Sequence, residues 1–177
     1  MRHLLLLTAA GLLLAASSCI SKATPKRRFV LTSPASAPAN VRVSVTEVRL
    51  PTYLDDNGMH ILSADGELGT IPNALWSARL SLLLRDALQT ELRSQVPAQG
   101  PQLNIRLDLL HCCSDIEGNL QVAGTATILP GPRVLPVAIT ITGDAKLTPD
   151  APAIRRLHQR LITRLATELT AAIKAKD

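Results

Sequence analysis

Two periodicities, and the order in which they occur, predict an α+β fold: an antiparallel sheet with two long helices packed on one face, in a single domain behind an N-terminal signal segment. Several stretches alternate apolar and polar residues with a period of two, the pattern of strands buried on one side. Two longer stretches place leucines at helical spacing, which predicts amphipathic helices built to lie on that sheet.

The first eighteen residues stand apart. Met1-Arg2-His3 is a short positive start, Leu4 to Ala16 an apolar run of signal-peptide length, and Ala16-Ser17-Ser18 small residues where a peptidase cuts. The run is shorter than the roughly 20 apolar residues that a bilayer-spanning helix needs, and Ser17, Ser18, Ser21 and Lys22 close it. Leu14-Ala15-Ala16-Ser17-Ser18-Cys19 resembles a bacterial lipobox, in which cleavage falls before the cysteine and its sulfur carries a diacylglycerol. Ala16 and Ser17-Ser18 depart from the commonest version, with Leu three residues before the cysteine and Gly or Ala just before it, but keep small or apolar residues there. Cys19 is therefore read as a lipidation site, and several acyl chains anchor a protein stably where one is marginal. On this reading the chain divides into a lipoprotein signal peptide at 1–18, a lipidated tether at 19–40 and a domain at 41–177.

The chain left after residue 18 has the size of one domain with a real core. The full chain carries a formal charge of +5, one less once Arg2 is removed. That mild excess is compatible with anionic lipid headgroups. One Trp, one Tyr and one Phe leave little to stack on bases, so nucleic acid is set aside as a partner. Export implies an oxidising compartment, yet Cys112 and Cys113 are adjacent, and neighbours on a strand point to opposite faces. They make a poor disulfide framework.

Residues 21–40 combine Pro, Ala and Ser with Lys26-Arg27-Arg28, a flexible tether interrupted by a short strand around Phe29-Val30-Leu31. The basic cluster reads either as a solvated linker or, this close to the anchor, as a headgroup contact. Val41, Val43 and Val45 then alternate with Arg42, Ser44 and Thr46 in a strand running towards Leu50, and Pro51 stops it. After the loop LPTYLDDNG, a hairpin is expected in which Met59 to Leu62 turns through Ala64-Asp65-Gly66 and returns at Leu68 to Ile71. Pro72-Asn73 ends it, with Asn73 as the expected N-cap of a helix whose buried stripe is Trp76, Leu80, Leu83, Leu84, Ala87, Leu88 and Leu92.

Residues 96–101, VPAQGP, break that helix. Three alternating stretches follow: Leu103 to Leu109, Leu120 to Ile128 and Val137 to Ile141, joined by the turn-type segments 115–119 and 130–132. They predict an antiparallel meander with one face buried. A last helix starts near Asp150-Ala151-Pro152, since Pro is tolerated in a first turn, and buries Ile154, Leu157, Leu161, Leu165, Leu169 and Ile173.

Sequence motifs that carry chemistry are few. No G-x-S-x-G elbow, H-E-x-x-H pair, phosphate-binding Gly-rich loop or C-x-x-C pair is present. His60, His111 and His158 lack ligand spacing, and His111-Cys112-Cys113 reads as a strand end with one thiol buried and one near the surface rather than as metal ligands. Asp55-Asp56 reads as a turn former rather than a catalytic pair. No catalytic residue, metal or cofactor is expected, and so no enzyme. Arg156, Arg160 and Arg164 fall at four-residue intervals on the outward side of the last helix, with Arg155 and His158 close by. Such a stripe is either a solvated face or a contact for a partner or an anionic lipid.

The stretch from Val48 to Leu92 adds one further reading. A strand runs into Pro51, Tyr53, Leu54 and Asp55, then a short hairpin, then Trp76 before the leucine-rich segment with Leu80 and Leu88. This order, behind a lipobox, resembles the ABC-type transport auxiliary lipoproteins, the PqiC-like family. Phe29-Val30 stands where the family usually has paired tyrosines, and Ser77-Ala78-Arg79 where it commonly has an acidic residue and Pro. The resemblance implies a docking role in envelope lipid trafficking, alongside an MCE-domain protein and an inner-membrane permease or ATPase, with phospholipid among the partners and a homo-oligomer as assembly state. Ile20 rather than Asp after the cysteine implies sorting to the outer membrane, on its periplasmic face. Tyr53 and Trp76 read as closing the core between loop and helix. The alternative to the transporter role is a stand-alone structural or ligand-binding envelope lipoprotein.

Overall fold

The computed structural model describes residues 24–33, 35, 42–143 and 150–175; the signal segment, Cys19, most of the tether, and Val41, Asp144 and Lys146 lie outside the described residues. In chain order the elements are β1 (Arg27–Phe29), β2 (Val43–Arg49), β3 (Gly58–Leu62), β4 (Leu68–Trp76), α1 (Leu80–Gln95), β5 (Leu103–Asp115), β6 (Leu120–Leu129), β7 (Arg133–Ile141) and α2 (Ala151–Lys174). The α+β class and the two long helices on the sheet are as the periodicity predicts.

Among the described residues the sheet has seven strands and is mixed. The predicted antiparallel part is present in β5-β6-β7 and in the β3-β4 hairpin. Three parallel pairings complete it: β1 with β4, β2 with β5, and β3 with the last two residues of β5. Parallel neighbours need a long crossover, and the run from β2 through the hairpin and α1 to β5 supplies one. β5 is thirteen residues long, so one of its edges serves β2 along its first half and β3 at its end. That edge joins the hairpin to the meander.

Inward residues of the sheet, among them Val43, Val45, Ile105, Leu107, Leu120, Val122, Ala126 and Ile139, form one core with the helix stripes. The predicted α2 stripe is buried throughout, each leucine contributing about 1.5–3 kcal/mol relative to exposure. Its start is also where the sequence places it: the Asp150 carboxylate accepts from the Ala153 amide at 2.7 Å. On α1, Gln89 reaches the outer edge of β2, accepting from the Val45 amide at 2.7 Å and donating to the Val43 carbonyl at 3.0 Å. A side-chain amide thus takes the place of a neighbouring strand, which blunts that edge.

The region before α1 differs from expectation. β4 does not end at Pro72-Asn73 but runs through them to Trp76, and Asn73 sits at φ 58, inside an irregular stretch where one residue of β3, Met59, faces four of β4, Ile71 to Ala74. Asn tolerates that left-handed conformation better than most residues, so it serves a bulge and not a helix cap. The helix begins at Leu80. A second bulge, at Leu110 in β5, reverses the alternation: Leu109 and Cys112 both face the core while Leu110 is 74% exposed. Cys113 comes opposite Gln121 on the other face, yet it too is buried, which corrects the expectation of one thiol near the surface.

Candidate functional site

The sequence points to three places: Cys19, the Pro51-to-Trp76 motif and the arginine stripe. Cys19 lies outside the described residues.

The motif residues converge. Pro51 starts a tight turn whose carbonyl accepts from the amides of Leu54 and Asp55, at 2.9 and 3.1 Å. The turn drives Leu54 inward, to 1% exposure, and leaves Tyr53 58% exposed. Arg79, the residue preceding α1, offers no side-chain cap. The cap comes from the loop: the Asp55 carboxylate accepts from the Ser81 amide at 3.1 Å and the Asp56 carbonyl from that of Leu80 at 3.3 Å. A carboxylate there also faces the positive end of the helix dipole. Asp55 is a helix cap brought from another segment, which explains an acid at this point of the loop without any catalysis.

Trp76 closes the same region from the other side. Its amide donates to the Asn57 carbonyl at 2.7 Å, its side chain is 1% exposed, and its ring stands edge to face against His158 of α2, with centroids 5.1 Å apart. Leu54, His60, Trp76, Leu80, Cys112, Ile154 and His158 surround one small internal cavity. Loop, hairpin, meander and both helices therefore meet around two motif side chains. His158 is not on the outward side with the arginines, as its place in the sequence suggests, but 3% exposed. Its Nδ1–H donates to the Ile154 carbonyl at 2.9 Å, and burial pulls its pKa down to about 4. The imidazole is neutral, with Nε2 unpartnered among the described residues. His60 Nε2 donates to the Asp56 carboxylate at 2.8 Å, and that oxygen also accepts from the Gly58 amide at 2.6 Å.

The two thiols near this junction are held in their neutral form. Burial pushes the Cys112 thiol up to about 12 and the Cys113 thiol up to about 11, so neither supplies a thiolate near neutral pH. Among the described residues no group of three or more His, Cys, Asp or Glu side chains is placed to hold a metal ion.

The arginine stripe is exposed along α2. Arg160 Nη1 donates to the Thr142 carbonyl at 2.9 Å and Arg164 pairs with Glu168 at 2.8 Å. Beside them runs an open groove of about 600 Å³, with Thr32 and Ile141 on one wall and Gln159, Arg160, Thr163 and Arg164 on the other. Thr32, far away in sequence, is the part of this wall that periodicity could not supply. Among the described residues no helix is long and apolar enough to cross a membrane.

Residues 29–170 match the family model described as ABC-type transport auxiliary lipoprotein component. Among solved structures, an uncharacterised protein superposes with a TM-score of 0.69 at 17% identity, over 85% of this chain and 99% of that one. Protein XCC0632 from Xanthomonas campestris, assigned to the DUF330 family, superposes with a TM-score of 0.56 at 17% identity, over 87% and 99% of the two chains. No curated protein matches.

Proposed function

This chain belongs to the ABC-type transport auxiliary lipoprotein family, and from that membership we propose that it is the outer-membrane lipoprotein of a lipid-transporting ABC system. In this reading Cys19 carries the lipid anchor on the periplasmic face, and the domain docks an MCE-domain protein coupled to an inner-membrane permease and ATPase. It binds and positions, as a homo-oligomer in contact with the phospholipid path, and breaks no bonds.

The family match across the domain carries this reading. The motif geometry supports its non-catalytic part: Leu54, Asp55 and Trp76 are committed to a turn, a helix cap and the core. What the protein offers a partner is surface: the exposed Tyr53, the α2 arginines and the groove beside them.

Anchor and location are tested by labelling cells with radioactive palmitate and separating inner from outer membranes on a density gradient. The labelled protein is expected in the outer-membrane fraction, and Cys19→Ser is expected to take up no label. Equal label in Cys19→Ser contradicts the anchor, and parent protein in the inner-membrane fraction contradicts the location. The transporter role is tested by recovering the acylated protein with its partners.

A further inference from the structure

The fold brings the anchored end of the chain and the arginines of α2 together. The sequence suggests a tether as far as residue 40, interrupted by a short strand around Phe29-Val30-Leu31; the strand lies two residues earlier, at Arg27–Phe29, and is part of the sheet, paired with Ala74 to Trp76. Cys19 and Arg27 are eight residues apart, and eight residues, however they run, span at most about 29 Å. From Phe29, whose strand partner Trp76 touches His158 of α2, the chain carries Leu31 into the core and Thr32 to the wall of the groove beside Gln159 and Arg160.

The strand that holds one basic cluster, Lys26-Arg27-Arg28, thus leads within four residues to the groove wall shared with Arg160 and Arg164, and the side chains of this cluster and of Arg155, Arg156, Arg160 and Arg164 are all exposed. Val30, which lies between Arg28 and Thr32 in the chain, is an apolar side chain 47% exposed. Residues 24–33 and 151–167 contain no acid. The nearest acids along α2 are occupied, Asp150 with the Ala153 amide and Glu168 with Arg164.

We propose that this composite surface rests on the anionic headgroups of the membrane that holds Cys19, so that the domain lies on the bilayer instead of hanging from it. The inference depends on the reading of Cys19 as the anchor for its orientation, but the surface has its own chemistry. Phosphate-bearing headgroups complement the guanidinium groups in charge and geometry. The short tether holds the arginines near the membrane, where attraction is strong only within a screening length of about 8 Å at physiological salt.

The test uses the mature chain without its acyl groups, residues 19–177 with Cys19→Ser, so that binding through the surface is separated from binding through the anchor or the signal segment. Its partition is measured on vesicles of phosphatidylethanolamine with phosphatidylglycerol and on vesicles of phosphatidylcholine alone. Binding to the anionic vesicles only, weakening as salt is raised, is expected. Arg155→Glu with Arg156→Glu, and separately Lys26→Glu with Arg28→Glu, are each expected to lower it at least about tenfold, with thermal unfolding as the control for folding. If a reversal unfolds the chain, the corresponding Gln variants give the same reading at smaller amplitude. Equal binding to both vesicle types, or reversals that leave anionic binding unchanged, overturns the proposal. So does a reversal that releases a co-purifying protein without changing vesicle binding, since the surface then serves a protein partner. A failed palmitate label would remove the anchor but not the vesicle result, so the two failures are distinguishable.

Discussion

Trp76 and His158 meet edge to face, with ring centroids 5.1 Å apart and planes at 67°, and this contact fastens α2 to the end of β4. Because the imidazole is buried and neutral, the contact makes folding sensitive to acid. The folded-state pKa is lowered to about 4 from the ordinary 6.5. Between those values the unfolded chain binds more protons at this site than the folded one, so stability is lost as pH falls through the window. The loss is about 3 kcal/mol by the lower end. Urea midpoints measured across that range are expected to fall with pH in the parent and to change less in His158→Gln, whose neutral side chain has nothing to titrate. Identical pH dependence in the two proteins would show that His158 is not the group responsible.

Asp55 is expected to act on stability through α1. Asp55→Ala removes the carboxylate that accepts from Ser81 and should cost about 1 kcal/mol. Asp55→Asn keeps an acceptor but loses the charge at the helix end, and should cost less. Both are read from urea unfolding. A cost near zero for Asp55→Ala would mean that the loop cap contributes nothing.

The motif should divide sharply between its two aromatic residues. Trp76→Ala empties a fully enclosed site and is expected to cost about 3–5 kcal/mol. Tyr53→Ala, at an exposed position, is expected within about 0.5 kcal/mol of the parent. Tyr53 is therefore the motif residue whose effect on partner binding can be measured without disturbing the fold.

Neither Cys112 nor Cys113 is expected to react with a thiol reagent in the folded Cys19→Ser protein near neutral pH. Both are buried, with thiols held up at about 12 and about 11. Denaturant should expose both to full labelling. Rapid labelling of the native protein would contradict the closed end of β5.

Gly124 offers a test of the packing between β5 and β6. A Cβ at this position would lie 2.3 Å from the Asp108 carbonyl oxygen and 2.7 Å from Leu109 Cα, both backbone atoms. Gly124→Ala is expected to destabilise by about 1–3 kcal/mol, measured by urea unfolding. An unchanged midpoint would show that the two strands separate easily at the bulge.

The elements legible in the sequence are those whose signal is local. The α2 stripe and Asp150 cap stand in one continuous run, and the alternating residues of the meander report directly on which face is covered. Where the structure departs from the local pattern, one signal has two solutions. Trp76 lies four residues before Leu80 and satisfies a helical stripe, yet it closes a strand, because Asn73 takes a left-handed bulge that keeps β4 going. His158 follows Ile154 by a helical four and so belongs to the buried stripe, but its neighbours Arg155, Arg156 and Arg160 suggested the outward side. Other features had no local signal. The sharing of one β5 edge by β2 and β3, the reach of Asp55 to Ser81 and the arrival of Thr32 beside Arg160 all depend on pairings between distant segments.

The most direct test of the proposed role is affinity recovery of the acylated protein from gently solubilised envelopes, with mass spectrometry of what comes with it. An MCE-domain protein together with a permease or ATPase is expected, recovered in the parent and in Cys112→Ala alike. Recovery of folded, acylated protein with neither component, under conditions that preserve other envelope complexes, would contradict it.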